Sequence, residues 1–399
     1  MTTTTEPAVF TGDPFDEAAL KDPYPFLQRL REAGPVSYLE ATGSYAIVGY
    51  DEVYEVLMDF ETFISSGGLG PHDIRKDEAW RPPSILESDP PIHTVMRRAL
   101  TGVINPSTVR ALREPFTAPA VEIVNDLTQF DRFDAVTDLA EKYPIRVFPD
   151  AVGLPQEGRE HLLPYGNMVF NAFGPENYIY QQAFAEGDAH SAAVMKLCQR
   201  ESLDDSGFGA RIYERINDGL ITEEQAALLV RALLSAGVDT TIFGIGNTLS
   251  VLARYPEAWQ RLRENPSMAK FAIDEALRVE SPFQKFHRTV ATATTLGGVD
   301  LPEGAKVLVF VGAANRDPAK WGDDAAEFSL DRSSSGHVAF GMGLHQCVGQ
   351  PIARLEMEIV LQQLLEKFET LELADEPVPF IHNVLRGFES VPLKVSPKR

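Results

Sequence analysis

Apolar residues recur at helical spacing along most of this chain. The spacing predicts helices over residues 24–33, 93–103, 107–127, 133–151, 157–173, 179–200, 222–254 and 269–280. Short β-rich segments predict strands at 36–39, 45–48, 307–311 and 390–395. The pattern therefore favours a fold that is mainly α with small β-sheets.

The longest predicted helix, 222–254, begins at a capping box, Thr222-Glu-Glu-Gln225, and would extend for ~50 Å. Its middle and second half are apolar on nearly every face, so we expect it to be buried. Arg231, Ser235 and Asp239 follow one another at a spacing of four and form one polar stripe. Because burying these groups unpaired would cost several kcal/mol, the stripe should face a polar group inside the protein.

Two segments lack helical spacing. Residues 1–20 are polar and acidic, and we expect them to lie as an arm on the surface. Residues 60–91 are rich in Gly, Pro and Ser, and a loop of that length inside a compact protein usually has a function. We predict that this loop covers a pocket.

Charge narrows the range of partners. The 399 residues include 36 Lys+Arg and 58 Asp+Glu, which gives a formal net charge of 36 − 58 = −22. A field of this sign repels phosphate backbones and anionic headgroups, so nucleic acids and membrane surfaces are poor candidates. The N-terminus has no basic or apolar leader, and Arg231 and Asp239 interrupt the most apolar stretch. We therefore expect a cytoplasmic protein without a membrane span.

The two cysteines, Cys198 and Cys347, are too few for a disulfide framework or a self-contained zinc site. Cys347 lies in the segment 340–349, Phe-Gly-Met-Gly-Leu-His-Gln-Cys-Val-Gly, directly before a helical pattern. Glycines let backbone N–H groups approach the sulfur, and the helix N-terminus also favours a thiolate, which is a ligand for iron. A small buried cysteine in a glycine turn is the alternative. No glycine-rich dinucleotide motif is present, so electrons for any redox chemistry must come from outside the chain.

Segment 340–349 resembles the haem-binding loop of the cytochrome P-450 superfamily, Phe-Gly-x-Gly-x-His-x-Cys-x-Gly. Three other segments are similar to motifs of the same superfamily: 275–278 to its Glu-x-x-Arg helix, 236–241 to its oxygen-activation segment, and 89–97 to its propionate-contacting helix. All four occur in the family order over essentially the whole chain. In the superfamily the Glu-x-x-Arg pair is part of a structural lock, which Arg316 or Arg332 would complete here.

The resemblance implies one cytochrome P-450 domain over 1–399, with haem b between the central helix and the helix after the cysteine loop. Cys347 would be the thiolate ligand of the iron. The residues that correspond to propionate contacts are His93, Arg97, Arg288 and His337. For each of these, an ordinary surface ion pair is the alternative.

The resemblance also assigns catalytic roles to Asp239 and Thr240, beside the bulge that the family has in its central helix. Thr240 would deliver protons to the oxygen site, and Asp239 would relay them from solvent. The alternative is a pair of polar residues satisfied within a helical turn.

Polar residues that suit an anionic substrate come from two segments. Two arginines and two serines would converge on a carboxylate: Arg81, Ser84, Arg231 and Ser235. Four aromatic residues would hold a flat ring, with core packing as the alternative: Phe170, Phe173, Phe283 and Phe286. Phrases such as KDEAWRPPS and LLVRALLSAGVDTT resemble a bacterial subfamily that oxidises para-substituted benzoic acids, notably 4-methoxybenzoate. Ala232 and Phe283 depart from it, since relatives have Ser and a smaller aliphatic residue there.

The subfamily resemblance implies O-demethylation of 4-methoxybenzoate to 4-hydroxybenzoate and formaldehyde. Dioxygen would be reduced with electrons from an iron-sulfur ferredoxin and its NAD(P)H-dependent reductase, and the chain is expected to be a monomer. Three basic residues are candidates for docking the ferredoxin: Arg97, Arg98 and Arg354. Alternatives are another aromatic or phenolic substrate, a hydrogen-peroxide-dependent peroxygenase, a non-catalytic haem-binding protein and a metal-free helical binding protein.

Overall fold

The computed structural model describes residues 6–77 and 79–398, and helices dominate it. The α-helices of this part of the chain, numbered in order, are α1 Glu17–Lys21, α2 Pro23–Glu32, α3 Tyr50–Met58, α4 Ile92–Val103, α5 Pro106–Ala111, α6 Arg113–Leu127, α7 Pro144–Val152, α8 Leu162–Asn171, α9 Tyr178–Ala183, α10 Gly187–Leu197, α11 Phe208–Glu214, α12 Glu223–Ala236, α13 Asp239–Ala253, α14 Pro256–Glu264, α15 Ala269–Val279, α16 Val311–Ala314, α17 Pro318–Trp321 and α18 Gln350–Lys367. The expectation of a mainly α fold is confirmed.

The strands form small sheets. They are β1 Ala8–Phe10, β2 Val36–Leu39, β3 Ser44–Ile47, β4 Phe63–Ile64, β5 Arg132–Asp134, β6 Lys285–Val290, β7 Thr294–Leu296, β8 Val299–Leu301, β9 Lys306–Phe310, β10 Phe368–Leu373, β11 Val378–Phe380, β12 Gly387–Ser390 and β13 Pro392–Pro397. The largest sheet has the order β1-β2-β3-β9-β6-β4, and the next has β10-β13-β5. The hairpin predicted near the N-terminus is β2–β3, in which Val36 pairs with Ile47.

The central helix is interrupted where the sequence predicts one helix over 222–254. Its capping box forms, since the Gln225 amide donates to Thr222 Oγ1 at 3.1 Å. Gly237 and Val238 then separate α12 from α13. The hydroxyls of Thr240 and Thr241 donate to the carbonyl oxygens of Ala236 and Gly237, which offers those carbonyls an alternative to helical bonds.

The segment Glu223–Ala253 is long and apolar enough to cross a membrane by length and composition alone. In this structure, however, 72% of its most apolar window is buried inside the protein. It packs against α8, α15 and α18, so its hydrophobicity is explained by its place in the core.

The structure adds detail to two other sequence predictions, the helix over 133–151 and the arm over 1–20. Residue 133 belongs to β5, which pairs with β13, because Phe133 packs into the core beside Phe368. Residues 6–20 of the predicted arm contain β1 and the start of α1, with Phe15 and Leu20 buried. Residues 1–5 of that arm, residue 78 of the predicted loop and residue 399 lie outside the described residues.

The predicted structural lock is present, and Arg332 completes it. Arg278 Nη2 and Nε donate to the two carboxylate oxygens of Glu275, each at 2.8 Å. Arg332 Nε donates to Glu275 Oε1 at 3.0 Å, whereas Arg316 pairs with Glu280. Because Glu275 and Arg278 are both buried, each would be costly to leave unpaired. The lock holds the segment that leads into the cysteine loop.

Candidate active site

One large cavity lies between the central helix and the cysteine loop. Its walls come from α4, α12, α13, β6, α18 and the segment 340–349. Leu69, Ile85 and Leu86, from the loop 60–91, close one side of it. Most of the lining is apolar, so the few polar groups that reach the cavity identify the chemistry it supports.

Cys347 faces this cavity from a loop that glycines shape. Gly341 and Gly343 have φ values of +66° and +68°, which side-chain-bearing residues rarely adopt. A Cβ on Gly343 would lie 2.7 Å from the carbonyl oxygen of Leu57. The loop therefore depends on glycine at this position both for its backbone conformation and for its packing.

The sulfur of Cys347 is open to the cavity, although protein surrounds the loop. Burial raises the pKa of the Cys347 thiol, and the backbone amides of Gly349 and Gln350 and the charge of Arg97 act against this effect. Gly349 caps α18, so the amides that favour a thiolate belong to a helix N-terminus. The arrangement agrees with the interpretation of Cys347 as a thiolate ligand.

A basic cluster, consisting of His93, Arg97, Arg288 and His345, lines the cavity near this loop. The rings of His93 and His345 are 4.3 Å apart, and burial together with the neighbouring arginines lowers the pKa of His93 to about 4 and that of His345 to about 2. Burial also lowers the pKa of Arg288 to about 10. The two arginines of the cluster keep their positive charge and require an anion, and the propionates of a haem meet this requirement.

His337 is not part of the basic cluster and is not among the described residues that line the cavity, so its contact with a propionate stays a prediction. Its side chain is buried beside α15, with Nε2 3.5 Å from Asp274 Oδ1. His345, inside the cysteine loop, faces the cavity instead and shares a hydrogen bond of 3.0 Å with Ser65 Oγ. The signal was present in the sequence, since the histidine of Phe-Gly-x-Gly-x-His-x-Cys-x-Gly is His345.

The cavity residues fit a haem. Cys347 supplies a soft sulfur donor, the basic cluster supplies partners for two carboxylates, and the remaining lining is apolar, as a porphyrin ring requires. The Nδ1 atom of His93 is buried without a partner among the described residues, so one polar contact is still available there.

Thr240 and Asp239 lie where the central helix is interrupted. Thr240 lines the cavity, and its Oγ1 donates to the Ala236 carbonyl at 2.7 Å. Asp239 is buried, and burial raises its pKa well above the ordinary value for a carboxyl, although its own backbone amide acts against this. A Cβ on Gly166 of α8 would overlap the carboxyl of Asp239, so the two helices meet closely at this point.

The four phenylalanines form one cluster around Phe283. Phe283 stacks on Phe286 with a centroid distance of 5.4 Å, and it meets Phe170 and Phe173 edge-on at 5.8 and 6.4 Å. Phe170, Phe283 and Phe286 line the cavity, whereas Phe173 lies behind them. The large side chain of Phe283 thus occupies space on this side of the cavity.

The predicted carboxylate contacts lie together but behind the cavity wall. Arg81 Nη2 pairs with Glu87 Oε1 at 2.8 Å, and Ser84 Oγ donates to the Leu228 carbonyl at 3.1 Å. Ser235 Oγ donates to the carbonyl of Ala232 at 3.2 Å. Arg231, Arg81, Ser84 and Ser235 are not among the described residues that line the cavity, whereas Ala232 is.

Arg231 differs from the other members of this set. It is fully buried, and its Nη2 donates to the Pro82 carbonyl. Its Nε and Nη1 have no partner in the part of the chain that the structure describes. Burial and the neighbouring Arg81 lower the pKa of Arg231.

Comparison with known proteins agrees with this geometry. The Cytochrome P450 family profile matches residues 198–396. Cytochrome p450 CYP199A2 of Rhodopseudomonas palustris is 49% identical over 387 residues, which cover 96% of this chain and 94% of that protein. The structure of CYP109Q5 from Chondromyces apiculatus has a TM-score of 0.81 at 27% identity and covers 98% of this chain and 99% of that one.

A second solved structure, cytochrome P450 CREJ in complex with (4-ethylphenyl) dihydrogen phosphate, has a TM-score of 0.86 at 27% identity, covering 96% of this chain and 98% of that one. The resemblance that the four motifs indicated is therefore confirmed, as are its fold and its haem cofactor. The chain belongs to the cytochrome P450 family and is a haem-thiolate monooxygenase that uses dioxygen and redox partners.

Proposed function

We propose that this monooxygenase oxidises para-substituted benzoic acids and O-demethylates 4-methoxybenzoate to 4-hydroxybenzoate and formaldehyde. The observation that carries the proposal is Arg231, a fully buried guanidinium with two nitrogens that lack a partner among the described residues. Arg81, beside it, is already neutralised by Glu87. A substrate carboxylate would supply the anion that Arg231 lacks.

The aromatic side chains would hold the flat ring of the substrate between Arg231 and the basic cluster. Phe170, Phe283 and Phe286 line the cavity and offer edges and faces to such a ring. Ala232, next to Arg231 in the chain, is small, so it leaves room for a carboxylate at that end of the cavity. Orienting the acid in this way would direct its para substituent towards Cys347.

Similar proteins add support. The ligand in the CREJ structure, (4-ethylphenyl) dihydrogen phosphate, is an aromatic ring with an acidic group opposite an alkyl substituent. A para-alkoxybenzoate has the same arrangement of acid, ring and oxidisable carbon. The phrases that resemble the subfamily acting on para-substituted benzoic acids point to the same class of substrate.

The proposed chemistry divides between the haem and the chain. The haem, held by Cys347 and the basic cluster, supplies the reductive activation of dioxygen when it is bound. Thr240 lines the cavity, and burial raises the pKa of Asp239 well above the ordinary value for a carboxyl, which favours its protonated form. Asp239 would pass this proton towards Thr240, and the apolar walls would exclude other water.

Electrons would come from an iron-sulfur ferredoxin and its NAD(P)H-dependent reductase. Arg98 is exposed, and Arg97 and Arg354 are partly exposed, so they offer positive charge to an acidic partner, although Arg354 already pairs with Asp274. We further propose that the protein is a cytoplasmic monomer.

Titration of the haem spectrum tests the substrate class. We expect 4-methoxybenzoate to shift the Soret band of the haem-loaded protein, and neutral anisole to do so far more weakly. Replacing Arg231 with Met keeps the length of the side chain without its charge. This variant should weaken binding of 4-methoxybenzoate by roughly thirtyfold, for the loss of about 2 kcal/mol in a charged hydrogen bond.

The same variant provides its own control. In the absence of substrate, Arg231→Met should not lower the thermal stability, because replacing an uncompensated buried charge by an apolar group is neutral or stabilising. Its affinity for anisole should also stay the same. Equal binding of anisole and 4-methoxybenzoate by the unaltered protein would contradict the proposal, as would equal loss of both ligands in the variant.

A further inference from the structure

Two histidines outside the cavity face each other between α8 and α10. His161 ends a short 3-10 turn, Arg159–His161, directly before α8, and His190 lies on the first turn of α10. The Nδ1 atoms of the two rings are 2.9 Å apart, and the ring centroids are 5.2 Å apart. Both residues are partly exposed, so ions from solvent can reach the rings.

Packing of the two helices fixes this distance. A Cβ on Gly187, at the start of α10, would lie 3.0 Å from Met168 Cε of α8. A Cβ on Gly158, just before α8, would lie 3.4 Å from Leu197 Cδ1 at the end of α10. The helices therefore run antiparallel and stay close at both ends, where Met168 and Leu197 are buried. The separation of the two rings is set by the fold and not by a flexible loop.

A nitrogen–nitrogen contact this short has two chemical explanations. One ring can donate an N–H to the lone pair of the other, which requires that at least one ring is neutral. Alternatively, both Nδ1 lone pairs can bind one metal ion. Metal–nitrogen bonds of about 2.0–2.1 Å that span 2.9 Å enclose an angle of about 90° at the metal. Neighbouring ligands have this angle in the square-planar and tetragonal geometries of Cu²⁺ and Ni²⁺.

The surroundings of the two histidines favour a cation. The formal net charge of the chain is −22, and a field of this sign attracts metal ions. Glu160 Oε1 lies 3.9 Å from His161 Nε2, the nitrogen through which a metal-bound histidine of this kind usually donates to a carboxylate. The described residues contain no group of three or more His, Cys, Asp or Glu side chains that could hold a metal ion, so water would complete the coordination.

We propose that His161 and His190 form a binding site for a divalent transition-metal ion such as Ni²⁺ or Cu²⁺, and that the bound ion clamps α8 to α10. On binding, the hydrogen bond between the rings breaks, its proton moves to Nε2 of the donor ring, and both Nδ1 atoms bind the metal. Phe170 of α8 lines the cavity, and Phe184, just before α10, contacts Trp80 of the loop 60–91 edge-on at 5.1 Å. A clamp between these helices would hold that wall of the cavity in one position.

Calorimetric titration of the untagged, haem-loaded protein with NiCl₂ tests the site without any substrate. We expect one Ni²⁺ per chain, and no such signal from MgCl₂, because Mg²⁺ prefers oxygen ligands. His161→Gln and His190→Gln should each lower the affinity for Ni²⁺ by at least roughly tenfold. The double variant should lose no more than either single variant, because one remaining histidine cannot chelate the ion. His72→Gln, at an exposed histidine, is the matched control and should leave the affinity unchanged.

Hydrogen exchange separates a clamp from an ion that only rests on the surface. At ten times its Kd, an ion that binds only the closed helix pair should slow amide exchange through local opening of α8 and α10 by roughly tenfold. Exchange in α14 should stay the same. Both single variants should lose the slowing.

Because both histidines are partly exposed, glutamine at either position should leave the core intact, and the carbon monoxide spectrum of each variant verifies its fold. The site would be disproved if the unaltered protein showed no saturable Ni²⁺ binding, or if the losses of the single variants added up in the double variant. An equal loss in His72→Gln would disprove it as well. Binding of Ni²⁺ that left exchange in α8 and α10 unchanged would overturn the clamp.

Discussion

The two ends of the cavity are built in different ways. At the cysteine end, Cys347, His345 and the glycines that shape their loop belong to one short segment, 340–349. At the substrate end, Arg81 and Arg231 come from a loop and from the central helix, and they lie together behind the wall. Short contiguous motifs therefore describe the cysteine end well, whereas the substrate end depends on how distant segments pack.

The largest effect is expected from removing the sulfur at the cysteine end of the cavity. Cys347→Ser removes the sulfur donor, because an alcohol does not ionise where a thiol can. The reduced protein with carbon monoxide should lose the strongly red-shifted Soret band entirely, and turnover should stop. Cys198→Ser, at the buried cysteine that lies outside the cavity, should keep the band. A red-shifted band in the first variant would show that Cys347 is not the ligand.

The next effect separates backbone strain from close packing in the cysteine loop. Gly343→Ala forces a side chain into a φ of +68° and brings its Cβ within 2.7 Å of the Leu57 carbonyl oxygen. We expect the backbone strain to lower the stability of the loop by about 1–3 kcal/mol, and the close contact to lower it further. The loss should be measured as weaker haem retention. Gly304→Ala has a similar φ, +79°, with nothing within 4 Å of its Cβ. Equal haem loss in both variants would mean that packing at Leu57 contributes nothing.

A third change tests whether Asp239 must keep its position. Gly166→Ala adds a methyl group that would overlap the Asp239 carboxyl, although alanine favours the helix by about 1 kcal/mol. Product per dioxygen should fall by roughly tenfold, while substrate affinity and haem content stay the same. Gly102→Ala is the control, since its Cβ would lie 3.9 Å from the nearest atom, Arg215 Nη1. Unchanged coupling in Gly166→Ala would contradict a role for this contact.

The smallest effect concerns the volume of the substrate end. Phe283→Val removes part of the phenylalanine cluster and should enlarge the cavity. Acids with longer para substituents should then bind more tightly by about 1–2 kcal/mol relative to 4-methoxybenzoate, measured by spectral titration. A change at Phe173, which does not line the cavity, should have less effect on this preference.

Much of the fold could be predicted, and the elements that could not be predicted have physical reasons. Helical spacing found α4 and α15 nearly as they are, because each buries one face. It did not predict β6, whose sequence Lys-Phe-His-Arg-Thr-Val mixes charged and apolar residues. All six are buried, since Phe286 and Arg288 face the cavity while the alternate residues face the interior.

The candidate site shows the same division. The family resemblance predicted Cys347, Thr240 and three of the basic residues, and all of these line the cavity. It also predicted His337, whereas the structure places His345 in the cavity lining. The burial of Glu356 could not be predicted, because a glutamate within Ala-Arg-Leu-Glu-Met-Glu on a helix has the pattern of an ordinary surface residue. Its burial without a partner is visible only when α18 is packed against the central helix.

The sequence by itself determined the family, the thiolate loop and the class of chemistry, because short motifs with glycines and a helix start encode their own local geometry. Tertiary structure decided which charges are compensated. Arg81 pairs with Glu87 and Arg278 pairs with Glu275, whereas neither Arg231 nor Glu356 has an ion-pair partner among the described residues. Whether a buried charge is paired depends on side chains from distant segments, and that pairing sets both the free energy of the charge and its chemical use.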